Sequence, residues 1–134
     1  MEPKEGVRIY ELKTSISWFD QEGILCSKSN DQERTLEVVK ENVAQIKNIV
    51  GKRSVPTLVE VTNMKPMERE ARELMAKELR GVYTAMAVIS HSALGRMIAN
   101  LSIHLFKPTW PMKFFKDEVE ARRWLKNFPE KKLN

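Results

Sequence analysis

The sequence predicts an α/β domain built on a single mixed β-sheet: an N-terminal antiparallel hairpin, then β-α-β-α-β crossovers, with about four helices in all. Three observations carry this. From residue 30 onward, extended apolar runs alternate with segments of helical period. The helical segments between the later strands are long enough for parallel crossovers, which tight turns cannot make. And DQEG (20–23) sits between two short extended runs, where a hairpin turn belongs.

Taken in order, VRIYELKTSISWF (7–19) places Val7, Ile9, Ile16 and Trp18 at spacings that suit extended chain, and ILCSKS (24–29) answers it across the turn. Asp20 at the first turn position and Gly23 at the fourth fit a type I turn closed by a left-handed residue, so 14–28 reads as a hairpin. Asn30 then caps a long helix, with Glu33 placed to reach back. Leu36, Val39, Val43, Ile46 and Val50 form its apolar stripe, Glu37, Lys40, Glu41 and Lys47 its solvated face, and Gly51 stops it. PTLVEVT (56–62) is a strand. Pro66 opens a helix through Ala71, Leu74, Met75 and Leu79 that ends at Gly81.

VYTAMAVIS (82–90) is apolar almost throughout, as a strand covered on both faces must be. A helix follows from about Ser92 to Phe106, and Pro108 and Pro111 force an extended connection. MKFFK (112–116) is a short strand at or near an edge. Asp117 and Glu120 make a capping pair for a last helix that turns Ala121, Trp124, Leu125 and Phe128 inward. Only the chain ends look frayed.

The bulk numbers narrow the function classes. A chain of 134 residues suits one domain, 1–134, with one core. A hydrophobic fraction of 42% with 31% charged residues is that of a soluble globule. No apolar run reaches the roughly 18–20 residues of a membrane span. The opening MEPKEGVRIY has no apolar core of a secretory signal, and the single Cys26 suits a reducing compartment, so a cytoplasmic protein is expected. Net charge is +5, from 23 Lys and Arg against 18 Asp and Glu. Lys126, Lys131 and Lys132 gather near the C-terminus but are diluted by Asp117, Glu118, Glu120 and Glu130, so no basic face for nucleic acid is expected.

Several stretches resemble a known family. WFDQEGIL (18–25), VEVTNMKPMEREARE (59–73), SALGRMIANL (92–101), KPTWPMKFF (107–115) and DEVEARRWL (117–125) are similar to small bacterial proteins described as STAS-like or SpoIIAA-like. The element order resembles that of the anti-sigma-factor antagonists, with a looser link to the CRAL-TRIO lipid-transfer domains. The resemblance implies the STAS fold. It also implies a corner to inspect, because in the antagonists the turn after the strand equivalent to 56–62 ends in an Asp-Ser whose Ser accepts phosphate. Here those two positions fall near Glu68 and Arg69, so the switch is expected to be absent, and Thr62 lies on the strand side of the turn. The corner then has a structural role: Pro66 fixes the helix entry and Glu68 favours its positive end, while Met64 and Met67 supply adaptable packing.

The leading site candidate is SHSALGR (90–96), which follows the most apolar strand and opens a helix. Free backbone N–H groups there favour anions. Ser90 and Ser92 add hydroxyls, Gly95 permits close approach, and Arg96 supplies a forked cation. The plain alternative is that Ser92 is only a helix cap and Arg96 an exposed side chain. His91 and His104 have no Cys, Asp or Glu at ligand spacing, so neither a metal nor another cofactor is expected. No nucleophile elbow or other catalytic constellation is present. Cys26 reads as an inert thiol, and Glu60 as a lone carboxylate on a strand.

In the helix 92–106, Leu94, Ile98, Leu101 and Leu105 share one stripe, expected to face the core, with Ile103 on the far side and Phe106 off the stripe. Ile103, Phe106 and the nearby Trp110 are therefore candidates for contact with a partner or an apolar ligand. The reading that follows is a non-enzymatic interaction module that binds a protein partner or a second copy of itself. The alternative is a binder of a small anionic or lipid-like ligand near the start of helix 92–106.

Overall fold

The computed structural model describes residues 1–62, 67–106 and 108–133, apart from the side chains of Ser102, His104, Leu105 and Phe106. Its elements are β1 (Tyr10–Glu11), β2 (Ser15–Phe19), β3 (Leu25–Ser29), α1 (Leu36–Val50), β4 (Arg53–Glu60), α2 (Arg69–Glu78), β5 (Tyr83–Ile89), α3 (Ala93–Phe106), β6 (Met112–Phe115), α4 (Glu118–Leu125) and β7 (Lys131–Lys132). One mixed sheet runs in the order β1-β2-β3-β4-β5-β6, with β7 beside β4. The first two pairings are antiparallel and the next three parallel, the pattern expected of a hairpin followed by crossovers.

The hairpin turn forms as its residues dictate. Asp20 Oδ1 accepts from the backbone of Glu22 and Ile24, and Gly23 takes φ 79°, which a side chain would resist. On one face of the sheet Val39 and Val43 of α1 and Ala71 of α2 pack with Leu25, Val55, Leu79 and Tyr83. On the other, α4 closes over Trp18, Leu58, Phe115 and Leu125. Ala85 and Ala87 on β5 leave room for Ala121, so α4 lies close to the sheet. Each large side chain removed from water in these layers contributes about 2 kcal/mol.

Three boundaries differ from expectation. α1 begins at Leu36 with Thr35 as its cap, where Thr35 Oγ1 accepts from Val38 N at 3.3 Å. Asn30 does not cap the helix. Its amide serves its own loop, accepting from Gln32 N and donating to Lys13 O, while the chain to Arg34 crosses to the hairpin before it can coil. β4 begins at Arg53, not Pro56, because the missing N–H of Pro56 is accommodated at a register shift between Val55 and Pro56. The C-terminal segment is not frayed throughout: β7 pairs antiparallel with Arg53 and Ser54. Pro66 lies outside the described residues. Among those described, no helix is long and apolar enough to cross a membrane.

Candidate functional site

β5 ends where Ser90 N donates to Phe115 O at 3.0 Å, and the chain turns directly into α3. Ser92 Oγ caps the helix, accepting from Gly95 N at 3.1 Å, and Arg96 N donates to Ser92 O at 2.9 Å. Arg96 Nη1 reaches back to Ser90 O at 2.5 Å. A Cβ on Gly95 would stand 3.0 Å from Ser92 Oγ, so the cap depends on the bare glycine. The structure thus brings Ser90, Ser92, Gly95 and Arg96 together, as a knot whose polar atoms bond one another. His91 is exposed beside it.

α3 is then fastened to the sheet by polar groups. Asn100 Oδ1 accepts from Phe114 N at 3.0 Å, and its Nδ2 donates to Phe114 O at 3.3 Å, so the side-chain amide occupies both main-chain groups of that residue on β6. Arg96, Ala99, Asn100 and Ile103 lie on the inner side and are half-buried. The expected core face is inverted. Leu94, Ile98 and Leu101 point to solvent with Met97, at 62, 54, 62 and 56% exposure, and none of the described side chains of α3 belongs to either core cluster. The reason is geometric: the residues that reach the β5–β6 main chain, Arg96 and Asn100, lie about 100–160° around the helix from Leu94, Ile98 and Leu101. Leu105 and Phe106 side chains lie outside the described residues.

Ile103 and Trp110 do come together. With Asn100, Met112, Lys113 and Trp124 they line an open groove of about 810 Å³ beneath the later half of α3. Trp110 is buried edge-on against Tyr83, with ring centres 5.2 Å apart, and its indole N–H has no hydrogen-bond partner among the described residues.

Two features escaped the sequence reading. The corner after β4 serves α1: Glu68 Oε2 accepts from Leu36 N at 3.3 Å, and Met67 pairs as a bridge with Arg34. Arg34 is itself buried, donating to Gln32 O and Thr14 O, and burial lowers its pKa. The second feature is Arg122 on α4, whose guanidinium reaches Asp20 at 2.7 Å, Glu118 at 2.9 Å and Cys26 Sγ at 3.9 Å. Burial opposes its charge, but the hydrogen bonds it donates to Asp20 and Glu118 outweigh it and raise its pKa. Cys26 beneath it is fully buried, and that burial pushes the thiol up to about 12. Its proton is held far from ionisation at neutral pH. Glu60 is half-buried, 3.7 Å from Lys28.

A family model described as a domain of unknown function, DUF7793, matches residues 17–129. Among solved structures, the chain is similar to an uncharacterised protein of the DUF3478 family with a SpoIIAA-like fold from Shewanella loihica PV-4. That match has a TM-score of 0.57 at 16% identity, over 93% of this chain and 98% of that one. No curated protein matches the chain in sequence. At that identity the likeness speaks for the fold alone, and it agrees with the sheet order and crossovers described above. The chain belongs to the DUF7793 family and has a SpoIIAA-like fold.

Proposed function

We propose that this chain is a non-enzymatic protein-interaction module that docks through the outer side of α3 and works without a phosphoserine switch. The observation that carries the reading is the exposure of Leu94, Met97, Ile98 and Leu101 along one line of a helix that is attached to its own sheet by Arg96 and Asn100. Positions i, i+3, i+4 and i+7 are the anchors by which a helix seats in a partner's groove. Four large apolar side chains clustered on one ridge form a patch, unlike the scattered single residues of an ordinary surface. The corner at Glu68 adds support, since a carboxylate already holds the first N–H of α1 where the antagonists carry their phosphate acceptor.

The test is a photo-crosslinking residue, Met97→benzoyl-phenylalanine, introduced into the full chain in its own cells. A discrete protein adduct is expected from position 97 and none from the same residue at Glu37 on the exposed side of α1. No adduct from position 97 overturns the reading.

A second reading is favoured by the groove and the lone indole N–H of Trp110: a small anionic or lipid-like ligand held beneath α3, with Lys113 at its rim. Native mass spectrometry of the purified protein is expected to show bound mass that Trp110→Phe and Lys113→Ala release. A protein free of added mass sets this reading aside.

A further inference from the structure

The charge of this chain is not spread evenly. From Leu79 to Lys116 there are five basic residues, Arg80, Arg96, Lys107, Lys113 and Lys116, and no Asp or Glu. The other 96 residues hold eighteen of each sign, so the whole excess of +5 resides in the segment that forms β5, α3 and β6. Lys113 and Lys116 are exposed on and just after the strand to which Asn100 fastens α3. Lys113 lies over the Phe115 ring at 5.4 Å, and neither lysine has an ion pair among the described residues. Lys113 also borders the groove under α3 with Asn100 and Ile103, so the lysines of β6 flank the helix that carries the apolar ridge.

We infer that the partner seated on α3 is a different protein, one that offers an apolar groove bordered by carboxylates. This rests on the docking role proposed above and adds the partner's chemistry. A convex helical ridge needs a concave apolar receptor, and a strip of unpaired lysines beside it needs opposite charge on the matching rim. A second copy fits badly. Twofold pairing lays a surface against itself, and this segment would bring lysines to lysines with no acid of its own to offset them. A bilayer fits less well than a groove. Helices that lie in membrane interfaces carry several Lys or Arg along the polar face and aromatic residues on the apolar one. Among the described side chains of α3 the only cation is Arg96, turned inward onto Ser90 O, and the ridge has no aromatic residue.

The experiment begins with the protein captured at position 97, identified by mass spectrometry, purified and titrated against the full-length chain. Leu101→Glu should weaken the complex at least about tenfold, because it places a charge in an apolar contact. The double variant Lys113→Glu/Lys116→Glu should slow association about tenfold, as should raising salt from 50 to 500 mM, and adding acids should not rescue Leu101→Glu. All three substituted positions are exposed, and unchanged thermal unfolding shows that both variants fold. Three results overturn the inference while leaving the docking role intact: an adduct that is a second copy of this chain, an association indifferent to salt and to the double variant, or a partner whose crosslinked region has no flanking Asp or Glu. Sedimentation of the chain with anionic phosphatidylglycerol vesicles but not with phosphatidylcholine, lost in Leu101→Glu, would also overturn it in favour of a membrane. The absence of any adduct overturns the docking role itself.

Discussion

α4 and α3 both lean on the edge strand β6, and they do so by opposite means. α4 turns Ala121 and Leu125 fully into the core, stacks Trp124 between Phe115 and Phe128, and ties Arg122 to the hairpin through Asp20. α3 is the more apolar of the two, yet it holds the same strand with the amide of Asn100 and keeps Leu94, Met97 and Leu101 in water. The contrast separates cohesion from display. The first helix closes the fold, and the second leaves its apolar side exposed.

Core truncation gives the largest effect by which this comparison can be broken. Leu125→Ala is expected to cost about 2–5 kcal/mol in urea unfolding, since it opens a cavity where the side chain is 2% exposed. A loss below 1 kcal/mol would mean that α4 is no better packed than α3. Next comes the thiol under Arg122. An unfolded Cys ionises near pH 9, whereas the folded one holds its proton to about 12. The contribution is complete below pH 9 and falls as pH rises, by about 2 kcal/mol at pH 10.5. Cys26→Ala should flatten that slope, and native Cys26 should resist thiol reagents at pH 8.

Arg122→Met is expected to cost about 1–3 kcal/mol, because Asp20 and Glu118 lose a charged partner in a half-buried setting. Asn100→Ala should cost about 1 kcal/mol and speed amide exchange at Phe114, which loses its acceptor. Smallest of all, Leu101→Ala should stay within about 0.5 kcal/mol of the parent in the same unfolding assay, as befits a side chain 62% exposed. A loss comparable to that of Leu125→Ala would show that α3 packs inward and would remove the ridge.

Much of this architecture was legible in the sequence because it depends on local rules. The DQEG turn, the apolar run of β5, the Asp117 cap and the inward residues of α4 all follow from neighbours within a few positions. The direction of α3 does not. Its period shows that Leu94, Ile98 and Leu101 share a side, but which side meets the sheet is decided by Asn100 finding Phe114 and by Arg96 finding Ser90. A polar residue in a helix carries no sign of a main-chain partner on a separate strand. Thr35 displaced Asn30 as the cap of α1 for a related reason: both residues suit the role, and the choice was made by the contact of Arg34 with Thr14 and Met67. Arg122 and Asp20 stand 102 positions apart, beyond any local pattern.

The amide of Asn100 has one more consequence. β6 is the last strand of its sheet, and such a border normally offers open donors and acceptors to any extended peptide that drifts past. Here the outward N–H and C=O of Phe114 are already filled from within the molecule. The border is sealed at its middle, so an incoming strand, including one from a misfolded copy, finds no template there on which to grow a fibre.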